Sequence, residues 1–315
     1  MGPKAQVKWF TEDHIPDLSG KVILVTGGNR GLGKEVVLAI AKRNPQHIFL
    51  TVRNLENSQA AVEDIKTSAP GAKITLLQCD LSSLATVRKA AEEFRSQASR
   101  LDIVICSAGV MIVPPSLSQD GYEIQFATNH LGHALLVKLV LPVLLHTAQQ
   151  LGSDVRFVVF TSQGYMMHPS GGILFDQLRT KQENLWLARY QLYGQSKLAN
   201  VLYAAQLAER YPQITAVSVH PGVVETELMT GQSLPDRIFL QLTTIGKKIT
   251  PKEGAKNAIW AATTDKASIK NGSYYEPVGI LKDVQRWAKD HDLARRLWEW
   301  TETELEPYII QDKWS

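Results

Sequence analysis

Two residues four apart, Tyr193 and Lys197 in the segment YGQSK, have the types and spacing that proton transfer requires. Positions i and i+4 share one face of a helix, so a phenol and an ammonium placed there can converge on one point. An unperturbed tyrosine titrates at about 10, and a neighbouring positive charge favours the phenolate and lowers that value. A tyrosine tuned in this way can exchange a proton with a carbonyl oxygen near neutral pH. Alone, Tyr-x-x-x-Lys is common by chance, and its plain alternative is a solvated helix face.

A second chemical signal is the glycine run TGGNRGLG at 26–33. Gly27, Gly31 and Gly33 stand between a strand pattern and a helix pattern, with Asn29, Arg30 and Leu32 among them. Glycines let the backbone turn sharply and let a pyrophosphate approach, while the helix N-terminus supplies free N–H groups and a positive dipole end. Residues 28–34 also read G-x-x-x-x-G-K, the start of an ATP-type phosphate loop, but that loop needs Ser or Thr next to hold magnesium. This chain has Glu35 there, so the dinucleotide reading is preferred. Loops selective for NAD place an acid about 20 residues after the last glycine, on the ribose 2′-hydroxyl. Arg53 holds that place, and FLTV before it contains no acid. Arginine suits a 2′-phosphate, and Arg30 is a second candidate cation, so the expected cofactor is NADP(H).

These groups need elements to position them. β-branched runs at 21–26, 47–52, 74–79, 101–106, 155–161 and 215–220 read as strands. Amphipathic stretches at 32–43, 57–68, 82–96, 122–146 and 190–211 read as helices, the fourth bent or ended near Pro142. Such alternation predicts an α/β fold, a parallel sheet covered on both faces, in one domain. The expected organisation is an N-terminal arm (1–17), a catalytic domain (18–280) and a helical tail (281–315). Two stretches, 163–189 and 227–250, exceed the usual connection of about 2–6 residues and are candidate functional insertions. Met166, Met167, Trp186 and Leu187 in the first could wall an apolar pocket or form the insertion's own small core. Four of seven tryptophans, Trp287, Trp298, Trp300 and Trp314, crowd the tail, which reads as an amphipathic helix packing on the body or on a partner chain. His130 and His133 lack a third ligand at a helpful spacing, so packed or solvated roles are preferred over a metal.

Composition narrows the class. Of 315 residues, 44% are hydrophobic and 21% charged, which excludes a mostly disordered chain. Lys plus Arg exceeds Asp plus Glu by only 34 − 31 = 3, which gives no electrostatic reason to expect nucleic acid as a partner. Cys79 and Cys106 are the two cysteines, a usage that fits a reducing compartment. The most apolar long run, 134–145, is interrupted by Lys138 and Pro142 and falls short of the roughly 20 residues of a membrane helix. The first twenty residues hold no apolar signal core, and Gln6 stands where a myristoylation signal wants Ser or Thr. The expectation is a cytoplasmic protein without a membrane anchor.

From about residue 18 to residue 275 the sequence resembles the short-chain dehydrogenase/reductase family, nearest to the branch with retinol dehydrogenases and WW-domain oxidoreductases. The likeness rests on TGGNRGLG (26–33), CDLS (79–82), CSAG (106–109), NHLGH (129–133), Thr161-Ser162, YGQSK (193–197) and HPGVVET (220–226), in the family's order. The resemblance implies a Rossmann-type sheet, dimers or tetramers of the chain, and oxidoreduction of a carbonyl or alcohol. It makes Tyr193 the general acid/base, with Lys197 lowering its pKa and holding the nicotinamide ribose. Ser162, with Thr161 as the alternative, would hydrogen-bond the reacting oxygen, and Asn129 would link Lys197 to a proton relay. Asp80, with Leu81 beside it, would contact the adenine. Pro221, Gly222, Val224 and Thr226 would line the nicotinamide end. The family usually has Asn-Asn-Ala-Gly where this chain has CSAG, so Gly109 carries over through its backbone alone. The spacing from Ser162 to Tyr193, 193 − 162 = 31, is longer than in most members. Apolar loops favour a hydrophobic ketone or aldehyde as substrate. The alternative is an NADP(H)-binding sensor or scaffold without turnover.

Overall fold

The computed structural model describes residues 10–225 and 248–309. The six apolar runs become parallel strands: β1 (Val22–Thr26), β2 (His47–Val52), β3 (Ile74–Gln78), β4 (Ile103–Cys106), β5 (Val155–Phe160) and β6 (Ile214–Val219). β1, β2, β4, β5 and β6 are buried along their whole length, as strands covered on both faces must be. Two short strands, β7 (Val223–Val224) and β8 (Lys248–Ile249), pair with each other away from the main sheet. β9 (Tyr274–Glu276) adds to β6 in parallel, and β10 (Ile280–Leu281) closes the edge antiparallel to β9. The order across the sheet is β10-β9-β6-β5-β4-β1-β2-β3.

The helices are α1 (Gly31–Ala41), α2 (Glu56–Ser68), α3 (Leu84–Gln97), α4 (Ile124–Phe126), α5 (Gly132–Ala148), α6 (Ala188–Arg210), α7 (Pro251–Thr263) and α8 (His291–Leu305). One apolar cluster joins α1 and α7 to one face of the sheet; a second joins α3, α5 and the C-terminal half of α6 to the other. This is the doubly wound arrangement the alternation predicts. Phe10, Ile15 and Leu18 belong to the first cluster, so the described part of the N-terminal arm is packed down.

Three local expectations change. The helix around Pro142 neither ends nor breaks there; α5 runs on to Ala148. Pro142 faces solvent, and beyond it Leu144 and Thr147 are buried, with Thr147 Oγ1 accepting from Leu101 N at 2.9 Å. The continuous helical stretch Ile124–Ala148 is long and apolar enough to cross a membrane, yet 61% of its most apolar window is buried inside the protein, as in a core helix. In the insertion, Tyr165, Ile173 and Leu178 form the small core with α6 and α8, whereas Met166, Met167, Trp186 and Leu187 are exposed, Trp186 at 79%.

The tail helix packs on the body. Trp298 stacks on Tyr203 of α6 with ring centroids 5.2 Å apart, under the Arg210 guanidinium. Arg179 of the insertion, Tyr122 and Glu304 of α8 form one polar cluster, with Tyr122 donating to Glu304 at 2.6 Å. Trp314 and most of 227–250 lie outside the described residues. Trp298→Ala empties a site only 7% exposed, and a loss of about 3–5 kcal/mol of unfolding free energy is expected by denaturant titration.

Candidate active site

Strand register brings the motifs together. Thr26 lies level with Thr51 on one side and Cys106 on the other, so the glycine loop and Cys106–Gly109 leave the sheet side by side. This is where strand order reverses, between β1 and β4, the usual dinucleotide crevice of such sheets. Phe160 lies level with Val219, so Ser162 and Pro221 emerge from the same end, one and two strands beyond β4.

The glycine loop has the close approaches its sequence predicts. A Cβ on Gly33 would stand 2.3 Å from the carbonyl oxygen of Gly27, a backbone atom that cannot yield. Gly27 and Gly31 have positive φ, and Gly31 opens α1 directly after Arg30. Leu32 and Val224 both pack on Gly254 of α7, which draws the segment after β6 against the loop. Gly222 lies beneath Ile249. Asn29 donates its amide to Ser58 Oγ at 3.0 Å, tying the loop to α2. Arg53 is exposed directly after β2. Lys34 instead pairs with Asp64 of α2 at 2.6 Å. Asp80 Oδ1 accepts from Ser82 N and Oγ at 2.9 and 2.7 Å, and the neighbouring Leu81 is buried. Thr226 lies outside the described residues.

Tyr193, Lys197, Ser162 and Asn129 converge. The Tyr193 hydroxyl is hydrogen-bonded to Ser162, and both flank Gly164. Ser162 Oγ also accepts from Gly164 N at 3.0 Å. The adjacent Thr161 is buried and donates to the Lys197 carbonyl at 2.8 Å, so its hydroxyl is committed to structure. Lys197 Nζ donates to Phe160 O at 3.0 Å and lies 5.8 Å from the Tyr193 ring centroid. Asn129 sits in a π-helical turn, Ala127–Leu131, a feature often found at functional sites. Its Oδ1 accepts from Val110 N at 2.8 Å, and its Nδ2 donates to Val110 O and to Ser196 Oγ, both at 2.9 Å. A Cβ on Gly109 would meet that Oδ1 at 2.9 Å and approach Lys197 Nζ to 3.8 Å, so glycine lets the β4 loop lie on both.

One electrostatic expectation is reversed. Burial pushes the Tyr193 phenol up to about 12, opposed only in part by the Ser162 hydrogen bond, and pulls the Lys197 ammonium down to about 8. Lys197 does not lower the phenol, because its ammonium is bonded to a strand carbonyl while the hydroxyl faces Ser162.

Two contributors escaped the sequence reading. Thr26 Oγ1 accepts from Ser107 N and Ala108 N at 2.9 and 3.0 Å and fixes the β4 exit against the glycine loop; a threonine ending a strand just before the first glycine was the available signal. Asn257 of α7, fully buried, donates to His220 O at 2.8 Å and to Tyr275 O at 3.0 Å and so anchors the strand leading to Pro221. His133 is bonded to Thr26 and His130 to Thr301, so both are packed side chains; among the described residues no cluster of potential metal ligands occurs.

Comparison with known proteins agrees with this architecture. Residues 21–170 match the family model described as short chain dehydrogenase. The short-chain dehydrogenase/reductase drtF of Aspergillus calidoustus is 34% identical over 311 residues, covering 95% of this chain and 98% of that one. Human (Homo sapiens) retinol dehydrogenase 11 is 33% identical over 285 residues, covering 90% of this chain and 85% of that one. A gluconate 5-dehydrogenase from Burkholderia cenocepacia, solved with NADP and tartrate, shares the fold with a TM-score of 0.64 at 20% identity, over 85% of this chain and 97% of that one. The protein is an α/β oxidoreductase, and it belongs to the short-chain dehydrogenase/reductase family, among relatives that include a retinol dehydrogenase.

Proposed function

We propose that the protein is an NADP(H)-dependent enzyme that reduces the carbonyl of a hydrophobic ketone or aldehyde. The observation that carries this reading is the Tyr193 hydroxyl bonded to Ser162, with Lys197 on the same helix beside Gly109. Tyr193 is the proton donor, Ser162 holds the reacting oxygen, Lys197 holds the ribose hydroxyls, and Asn129 fixes the wall between them. The buried phenol is protonated at neutral pH, the form in which it can hand a proton to a carbonyl oxygen.

The residues fit a dinucleotide. The α1 N-terminus and the Gly27–Gly33 contact leave backbone N–H groups and little side-chain bulk where a pyrophosphate would lie. Arg53, and Arg30 from within the loop, would take a 2′-phosphate, and the second oxygen of Asp80 would meet the adenine. Pro221, Gly222, Val224 and Thr226 would border the nicotinamide. Bound NADPH supplies the hydride. The exposed Met166, Met167, Trp186 and Leu187, next to the Ser162 turn and the start of α6, support an apolar substrate. A cytoplasmic setting is part of the proposal: buried, unpaired Cys79 and Cys106 suit a reducing compartment.

The test is loss of reduced-nicotinamide absorbance with NADPH or NADH against decanal, all-trans-retinal, a steroid ketone, a terpenoid ketone and a ketose. Reduction of the apolar carbonyls with NADPH is the expected result. NADPH binding with no carbonyl reduced would mark a sensor or scaffold and overturn the proposal.

A further inference from the structure

Thr26, His133 and Asn129 form a continuous hydrogen-bonded series whose direction is set by its neighbours. Thr26 Oγ1 already accepts two backbone N–H groups, from Ser107 at 2.9 Å and Ala108 at 3.0 Å. Both lone pairs are taken, so its own hydrogen goes to His133 Nε2, 2.8 Å away. With Nε2 accepting, the ring proton of the neutral imidazole is on Nδ1, which donates to the Asn129 carbonyl at 3.1 Å. Burial holds the imidazole neutral by drawing its pKa down to about 4. His133 thus spans the end of β1, under the glycine loop, and the π-helical turn that presents Asn129.

At the other end of the series, the Asn129 amide grips both backbone groups of Val110 and the hydroxyl of Ser196, the residue before Lys197. Gly109 lies between the Asn129 oxygen and the Lys197 ammonium. A shift of the Asn129 turn would therefore move the β4 loop and the Ser196–Lys197 turn together. The metal role that His133 and its neighbour could suggest is excluded by these bonds: one ring nitrogen accepts from Thr26 and the other donates to Asn129.

We propose that His133 is a positioning residue that couples the seat of the glycine loop to the alignment of Asn129 and Lys197. The inference rests on the reading of Tyr193 and Lys197 as the reaction centre. Its two hydrogen bonds have separable consequences. The Nε2 bond supports Thr26 and the loop, so its loss weakens cofactor binding; the Nδ1 bond supports Asn129, so its loss slows turnover.

The experiment is steady-state kinetics with NADPH and whichever carbonyl of the panel is reduced fastest, alongside melting temperatures. His133→Phe removes both bonds, and kcat is expected to fall, and KM for NADPH to rise, by about tenfold each. In His133→Asn the short amide reaches back one turn to the Asn129 carbonyl but not to Thr26, so kcat recovers to within about threefold of wild type while KM stays high. In His133→Gln the longer amide reaches Thr26 instead, so KM recovers while kcat stays low. Absence of either half of this split, kcat losses that merely track melting temperature, or a Phe variant within about twofold of wild type in both constants overturns the proposal. Tyr193→Phe in the same series separates the two layers. An active Tyr193→Phe enzyme removes the reading of the reaction centre and this inference with it; an inactive one without the Asn/Gln split removes this inference alone.

Discussion

Tyr193→Phe is expected to lower kcat for carbonyl reduction by about a thousandfold, within the range of positioned general acids. The substitution deletes one oxygen and leaves the ring in place. That oxygen is bonded to Ser162, and among the described residues no other acid stands in that place: Thr161 is committed to the Lys197 carbonyl and Lys197 to Phe160 O. Water entering beside Ser162 would provide the residual rate. NADPH affinity, read by quenching of protein fluorescence, is expected to stay within about threefold, because the lost group acts on the substrate oxygen and not on the dinucleotide. A fall in kcat with unchanged NADPH affinity assigns the hydroxyl to the chemical step. An equal loss in both would make it a binding group, and an unchanged kcat would remove it from the reaction.

The second large effect concerns the choice of dinucleotide. Arg53→Asp is expected to raise KM for NADPH by about a hundredfold and to lower KM for NADH, inverting the preference. A charge-assisted bond to a phosphate is worth roughly 1.5–3 kcal/mol, and a carboxylate in its place adds repulsion. Arg53 follows β2 immediately, and β2 pairs with β1 level with Thr26, so its Cα is fixed beside the glycine loop. The side chain is exposed, and such substitutions usually cost no more than about 0.5 kcal/mol of stability, so the kinetic change is readable. Arg30→Ala is the companion variant. If NADPH and NADH keep their wild-type ratio in Arg53→Asp, the 2′-phosphate is not held there.

The sequence was most legible where one physical signal dominated. Runs such as HIFLTV and VRFVVF are buried on both faces and can be little else than central strands; the first is bounded in the structure as it is in the sequence. Tyr193 and Lys197 were legible because helix periodicity alone sets their common face. β9 and β10 were missed: three- and two-residue strands leave no periodic trace, and β9 is placed by pairing with β6 rather than by its own composition. α7 was passed over although Thr250 and Glu253 cap it in the usual reciprocal way, because the stretch before it drew attention as an insertion. His133 was read as packed or solvated rather than as a metal ligand, but its particular partners, Thr26 and the Asn129 carbonyl, come together through sheet order that spacing cannot reveal.

The phenol illustrates another limit. Spacing places an ammonium within reach of Tyr193, but the sign of the pKa shift depends on how much water the surrounding chain removes and on where the ammonium points. In the folded protein desolvation prevails, and Lys197 spends its charge on Phe160 O. Burial and bond direction are properties of the packed site, and no motif carries them.

Above all, the proposal requires that Tyr193 and Lys197 face the crevice at the carboxyl ends of β1 and β4, where the nicotinamide end of NADP(H) would bind. A crystal structure with NADP bound tests it most directly. The expected result has the pyrophosphate on the glycine loop, the 2′-phosphate on Arg53, and Lys197 Nζ within hydrogen-bonding distance of the ribose, with the Tyr193 hydroxyl over the nicotinamide. A dinucleotide bound elsewhere, or a phenol and amine turned away from it, would rule out Tyr193 and Lys197 as the reaction centre.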